Sequence, residues 1–318
     1  MSGDPVAKFC EGQVVVVTGA GRGIGRAHAL TFAELGAKVV VNDLGTTYTG
    51  GGRSSGPADE VVSEIKALGG DAVPNTDDVS DPEAARRIIT TAIDTFGDLS
   101  TVVNNAGILR TSTLRELSTD DMNASWGVHV LGAFHLTKFA AEYWRPRAEA
   151  GERLNASIVN TSSAAGLWPS ATPGIEPSLC AYGTVKAAVA AFTIAASLEL
   201  FPLGIRVNAI APGGRTRMNT DAIADKGGQG VPPHSGDGFD MFDPANVSPL
   251  VAWLSSPEAA DVSGRTFESG AGRVAIANGW THGPGDARDD RRWDPAELGP
   301  IVRRLLAEAP SPATMMGN

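Results

Sequence analysis

The 318-residue chain has only two cysteines, Cys10 and Cys180, far apart in sequence. That spacing offers neither a disulfide framework nor a cysteine-based metal site, and it fits a reducing compartment. The five histidines form no HExxH pair and no clustered ligand set, so metal catalysis has no support. Basic residues are in deficit. The 26 Lys and Arg against 36 Asp and Glu give a formal charge of −10, which provides no concentrated positive field for a phosphate backbone and argues against a nucleic-acid partner. Long apolar runs are missing too. The most apolar helical stretch, Ala187 to Leu200, is interrupted by Glu199 and falls short of the ~20 residues that span a bilayer, so a buried helix is expected rather than a membrane segment. The N-terminus, Met1 to Gly12, includes Asp4 and Glu11 and lacks the apolar stretch of a secretory signal. The last residues, Met316-Gly317-Asn318, are not a peroxisomal tripeptide. A cytoplasmic location is the expectation.

A hydrophobic content of 42% can build a substantial core, and one α/β domain over residues 1–278 is expected, with a C-terminal extension over 279–318. Valine- and isoleucine-rich runs alternate with longer helical patterns, the mark of repeated βαβ units around a parallel sheet. Strands are expected near 13–18, 38–42, 71–76, 99–104, 156–162, 205–210 and 265–269. Helices fill 23–35, 57–68, 81–96, 119–146, 181–201 and 244–255. Asp81-Pro82 is a strong helix start, because Asp caps exposed amides and Pro is tolerated in the first turn. Three segments break the pattern. Gly45 to Gly56 reads as a loop inserted after the second strand. Ala165 to Leu179 holds Pro169, Pro173 and Pro177, which forbid a regular helix. Gly213 to Asp243, with Gly227-Gly228, Pro232-Pro233 and Gly236, reads as a substrate lid. Beyond Gly279 a single amphipathic stretch runs from Pro295 to Glu308.

The run Val14 to Val17 is followed by Thr18-Gly19-Ala20-Gly21-Arg22-Gly23-Ile24-Gly25. Gly19, Gly23 and Gly25 sit where a strand turns into a helix. A pyrophosphate needs that arrangement twice over: absent side chains let the backbone approach, and helix amides point at the anion. The spacing is GxxxGxG rather than GxGxxG. Asp43 follows the second strand, where a carboxylate meets the adenosine ribose and repels a 2′-phosphate, so NAD is expected over NADP. Arg22 and Arg53 are close enough in sequence to offset such a phosphate and keep NADP as the lesser expectation.

Tyr182 and Lys186 stand four apart in a helical segment and share one face. An ammonium beside a phenol favours the phenolate and brings it toward proton exchange at neutral pH. Ser163 ends the apolar strand around Ser157 to Val159, at the carboxyl edge where α/β sheets bind ligands, and is placed to hydrogen-bond a substrate oxygen. No GxSxG elbow surrounds it, which disfavours a nucleophilic serine.

Together these residues resemble the short-chain dehydrogenase/reductase family over roughly residues 10–275. The resemblance implies a single doubly wound Rossmann-type α/β domain of about seven parallel strands with helices on both faces. It implies adenine-side contacts from Asp78 and Val79 and from Asn105, Ala106 and Gly107 in the Asn104-Asn105-Ala106-Gly107 motif. It also implies coenzyme contacts from Ile24, Pro212, Gly213 and Thr216, with Lys186 holding the nicotinamide ribose and Thr216 the carboxamide. One position departs: His129, in His129-Val130-Leu131-Gly132, stands where the broad family has asparagine in its proton relay. The family's asparagine works largely through a main-chain carbonyl that holds a water, which histidine also possesses. Histidine there, with Val39-Val40-Val41-Asn42-Asp43-Leu44-Gly45, Arg215-Thr216-Arg217-Met218 and Phe267-Glu268-Ser269-Gly270-Ala271-Gly272, is similar to the (3R)-hydroxyacyl-CoA dehydrogenase unit of peroxisomal multifunctional enzyme type 2. A second departure is the separation of Ser163 from Tyr182, longer than usual by several residues.

The expectation is an NAD-dependent oxidoreductase acting on a small-molecule secondary alcohol, a 3-hydroxyacyl-CoA or another lipophilic alcohol. Its catalytic residues are Ser163, Tyr182, Lys186 and His129, without metal, in a homodimer or homotetramer assembled through the helices near 119–146 and 181–201. Two alternatives remain: an NADPH-dependent 3-oxoacyl carrier-protein reductase, and a non-catalytic NAD-binding regulatory protein.

Overall fold

The computed structural model describes residues 9–168, 179–224, 233–289 and 291–310. The prolines Pro169, Pro173 and Pro177, the Gly227-Gly228 pair, Pro232, Asp4 and the terminal Met316 to Asn318 lie outside the described residues.

A valine run makes the first strand, β1 (Val14–Thr18), and another makes the centre of β2 (Lys38–Asn42); the β-branched valines suit a pleated strand buried on both faces. The chain alternates onward through α1 (Gly23–Glu34), α2 (Gly56–Ala67), β3 (Asp71–Asn75), α3 (Pro82–Phe96), β4 (Thr101–Asn104), α4 (Thr119–Trp126), α5 (Gly132–Glu149), β5 (Ala156–Thr161), α6 (Ala164–Leu167) and α7 (Cys180–Leu200). It ends with β6 (Ile205–Gly213), α8 (Arg217–Ala224), α9 (Ser248–Leu254), β7 (Thr266–Gly270), β8 (Arg273–Ala277) and α10 (Pro295–Glu308).

The sheet order is β3-β2-β1-β4-β5-β6-β7-β8. The order reverses between β1 and β4, and that switch point opens a crevice at the carboxyl ends of the strands. Successive valines of β1 feed opposite faces. Val15 and Val17 join one core with Phe32, Ile65 and Leu254, while Val14 and Val16 join the other with Ile88, Leu136 and Trp144. Asp81 caps α3 as the sequence indicated, its Oδ1 accepting the Ala84 N–H at 2.7 Å, and Gly97 ends that helix in the left-handed region.

Four features correct the expectations. Seven strands are parallel, but an eighth, β8, adds to the edge antiparallel to β7; its short Gly270-Ala271-Gly272 turn closes a hairpin that alternation alone did not signal. The helix expected over 119–146 is interrupted by a π-helical turn at Gly127–Leu131 and continues to Glu149. The 213–243 segment contains the helix α8. Finally, α7 matches the expected 181–201 within a residue, but its apolar stretch is not too short for a bilayer. With the following turn to Leu203 it is long and apolar enough to cross a membrane, yet it lies along the sheet with Ala181, Val185, Val189 and Leu200 buried.

His28, on α1, is wholly buried, with Nδ1 2.9 Å from Ser248 Oγ. Burial disfavours its imidazolium and pushes its pKa from 6.5 down to about 3. The folded pKa lies below the unfolded one, so this contribution is intact above pH 6.5 and is lost as pH falls toward 3. Urea titrations across this window should show stability falling with pH. His28→Gln should flatten that dependence by up to ~1.4 kcal/mol per pH unit, and an unchanged slope would contradict the assignment.

Candidate active site

The dinucleotide turn follows β1. Gly19 and Gly23 both have positive φ, 62° and 54°, which glycine adopts without a Cβ penalty. A Cβ on Gly25 would run into the Gly19 carbonyl and the Asn105 side chain, so the turn closes only with glycine there. Helix α1 begins at Gly23, and Arg22, its N-cap, supplies no side-chain hydrogen bond. The first amides of α1 therefore remain available to an anion. This cradle fits a dinucleotide pyrophosphate.

Asp43 lies at the end of β2, where its carboxylate accepts the N–H groups of Gly21 and Gly45, each at 2.7 Å. It thereby fixes the turn and sits beside it. Arg53, read as a potential phosphate partner, instead reaches Asp78 at 3.4 Å with its side chain 71% exposed. Asp78 also accepts from the Ser80 N–H and hydroxyl, and Val79 is buried against Gly132. Asn105 spends its carboxamide on the Thr18 and Gly19 carbonyls, at 2.9 and 3.1 Å, while the Asn105 and Ala106 N–H groups both donate to Thr18 Oγ1. The Asn104–Gly107 motif is thus a brace for the glycine turn. A Cβ on Gly107 would strike the His129 ring. At the other end, Pro212 and Gly213 finish β6. The Thr216 methyl carbon lies 3.3 Å from where a Cβ on Gly23 would sit, so Thr216 leans over the same turn.

Ser163 follows β5 and caps α6, and its hydroxyl hydrogen-bonds the Tyr182 phenol. Two glycines permit this meeting, and the sequence reading passed over both. A Cβ on Gly166 would lie 2.5 Å from Ala187 N, and one on Gly183 would lie 2.7 Å from Ala165 O. The backbones of α6 and α7 therefore touch directly, drawing the end of β5 onto the first turn of α7. Gly183 showed only as a glycine within a helical stretch, and Gly166 fell in the segment expected to lack a regular helix, where the structure instead forms the short α6.

Lys186 is buried, donates from Nζ to the Thr161 carbonyl at 2.6 Å, and lies 5.6 Å from the Tyr182 ring centre. Burial pushes its pKa down to about 7. Burial also holds the Tyr182 phenol above its ordinary range, with the Ser163 hydrogen bond opposing. The direction is opposite to the lowering expected from Lys186, because desolvation penalises the charged form of both groups. The rings of His129 and Tyr182 meet edge to face at 5.6 Å. His129 sits in the π-helical turn with Nε2 2.8 Å from the Ile108 carbonyl, and burial with the neighbouring Lys186 holds its pKa well below the usual value. The ring is neutral. Nε2 faces both the Ile108 carbonyl and the Ile108 N–H, at 2.8 and 3.2 Å, while the buried Nδ1, like Asn104 Oδ1 and Thr161 Oγ1, has no hydrogen-bond partner among the described residues. These three residues and Lys186 line one small cavity, with room for about one water.

The short chain dehydrogenase family matches residues 13–227, a span that contains every one of these groups. The chain belongs to the short-chain dehydrogenase/reductase family. It is therefore an oxidoreductase of CH–OH groups, in a family that binds a nicotinamide coenzyme. It is 37% identical to mouse peroxisomal multifunctional enzyme type 2 over 92% of its own length, but covers only 34% of that relative. With the hydroxyacyl-CoA dehydrogenase ChsB1 of Mycobacterium tuberculosis it shares 35% identity over 93% of this chain and 89% of the other. The crystal structure of a short chain dehydrogenase from Mycobacterium avium superposes with a TM-score of 0.82 at 44% identity, covering 96% of this chain and 98% of that one.

Gly25→Ala should abolish coenzyme binding, since neither backbone nor Asn105 can yield without opening the brace. Calorimetric titration with NAD and NADP checks this; retained affinity for either would show that the turn is not the site.

Proposed function

We propose that this protein is an NAD-dependent dehydrogenase that reversibly oxidises the secondary hydroxyl of a 3-hydroxyacyl thioester. The observation that carries the reading is the convergence of the Ser163 hydroxyl, the Tyr182 phenol and the Lys186 ammonium at the carboxyl end of the sheet, across from a helix N-terminus free to take a pyrophosphate. Bound NAD would supply the hydride acceptor.

Ser163 orients the substrate oxygen. Tyr182 removes the hydroxyl proton as the carbinol hydride departs and returns it in the reverse direction. A phenol held above its ordinary range is neutral at rest, so it serves reduction directly as an acid, whereas oxidation gains as pH rises and the phenolate forms. Lys186, with its pKa near neutrality, exchanges charge within the working range; its protonated form favours the phenolate and holds the ribose. His129 holds a relay water in the adjoining cavity, through Nδ1 or its main-chain carbonyl, and the proton moves to solvent along that water. Asp43 has lone pairs left for ribose hydroxyls after binding Gly21 and Gly45, and its charge disfavours a 2′-phosphate.

The thioester is supported by two similarities, to ChsB1 and to the dehydrogenase unit of multifunctional enzyme type 2. Other lipophilic alcohols, steroids among them, are the remaining class. Apolar residues exposed on α5 and α7, Phe134, Ile194 and Leu198, support assembly into a homo-oligomer through these helices.

The deciding assay follows nicotinamide absorbance with 3-hydroxyacyl-CoA esters and steroid alcohols. Tyr182→Phe should cut turnover by about 10²–10⁴-fold with NAD affinity nearly unchanged; retained turnover would sink the mechanism. Asp43→Ala should narrow the preference for NAD over NADP by about tenfold. Unaltered selectivity would remove Asp43 from the coenzyme site.

A further inference from the structure

The segment after β6 is held by more than its connection demands. Gly214 is wedged between the dinucleotide turn and the chain returning from the 213–243 segment: a Cβ there would lie 3.2 Å from Pro244 Cα and 3.7 Å from Ile24 Cγ1. The next residue, Arg215, donates its main-chain N–H to the Phe242 carbonyl at 2.6 Å. Its guanidinium takes both oxygens of Asp240, at 2.7 and 3.1 Å, with the two side chains only 22% and 18% exposed. Asp240 is itself fixed. Its Oδ1 accepts the Phe242 N–H at 3.0 Å, and its carbonyl accepts from Asn246 Nδ2 at 2.8 Å.

Thr216 is constrained from the opposite side. Asn219 Oδ1 accepts from the Thr216 N–H at 2.8 Å and from its hydroxyl at 3.3 Å, while Asn219 Nδ2 donates to the Gly214 carbonyl at 2.7 Å. Donation to Asn219 leaves the Thr216 oxygen as an acceptor, the role a carboxamide N–H requires. A bidentate arginine–carboxylate pair sets angle as well as distance, and lysine cannot reproduce the planar fork.

We propose that Arg215 and Asp240 are a positioning pair, a latch that clamps the return of the 213–243 segment and thereby holds Thr216 over the dinucleotide turn. This rests on the reading of Thr216 as a coenzyme contact. Neither latch side chain touches the reacting atoms; both act through the main chain next to Thr216. Loosening the latch leaves Tyr182 and Ser163 where they are, so it weakens coenzyme capture more than the chemical step.

The test compares full-length protein with Arg215→Lys, with Asp240→Asn, and with the exchanged pair Arg215→Asp/Asp240→Arg. Both single variants should raise the KM and Kd for NAD by about tenfold while kcat moves less than about threefold. Amide exchange over residues 214–222 should quicken in the single variants, and the exchanged pair should recover most of both effects. Unchanged NAD affinity in the single variants, or no recovery in the exchanged pair, overturns the latch alone when the parent binds NAD. A parent that binds no NAD overturns the functional reading and the latch together.

Discussion

Two main chains in contact set the terms for the candidate active site. Because Gly166 and Gly183 carry no side chains, α6 lies directly on α7, and the strand end bearing Ser163 is brought to the turn bearing Tyr182. The same α7 turn carries Lys186 inward to the Thr161 carbonyl at the end of β5. The hydroxyl and the ammonium are thus both referred to one strand terminus, and the phenol is held between them. A single methyl group at either glycine would separate parts whose chemistry depends on fractions of an ångström.

Burial is what makes these groups responsive. In water, lysine and tyrosine titrate together near ~10 and histidine near ~6.5. Here desolvation lowers lysine to about 7, raises the phenol and keeps His129 neutral, so charge is scarce and each proton movement is felt by its neighbours. The π-helical turn contributes by widening the helix where the His129 ring must enter, next to Ile108 and Gly107.

Much of this was legible in the sequence. Valine runs and the spacing of helical segments located seven strands within three residues at either end, because parallel strands in a buried sheet carry a strong apolar signature. The glycine turn and the Tyr182–Lys186 pair were readable because their spacing is local. What escaped was set by tertiary contact. The β8 hairpin depends on a neighbouring strand, and Arg53 on an aspartate 25 positions away. Gly183 looked like an ordinary helix glycine and Gly166 like part of a proline-rich loop, until each was seen facing the other helix. The direction of the Tyr182 shift was missed for a related reason: a sequence reveals which charge is near, but not how much water has been removed.

The antiparallel course of β8 has a geometric corollary. The seven parallel strands all deliver the chain to the crevice, whereas β8 carries it back toward the opposite rim of the sheet. Whatever follows residue 277 is launched from the side remote from the reacting groups.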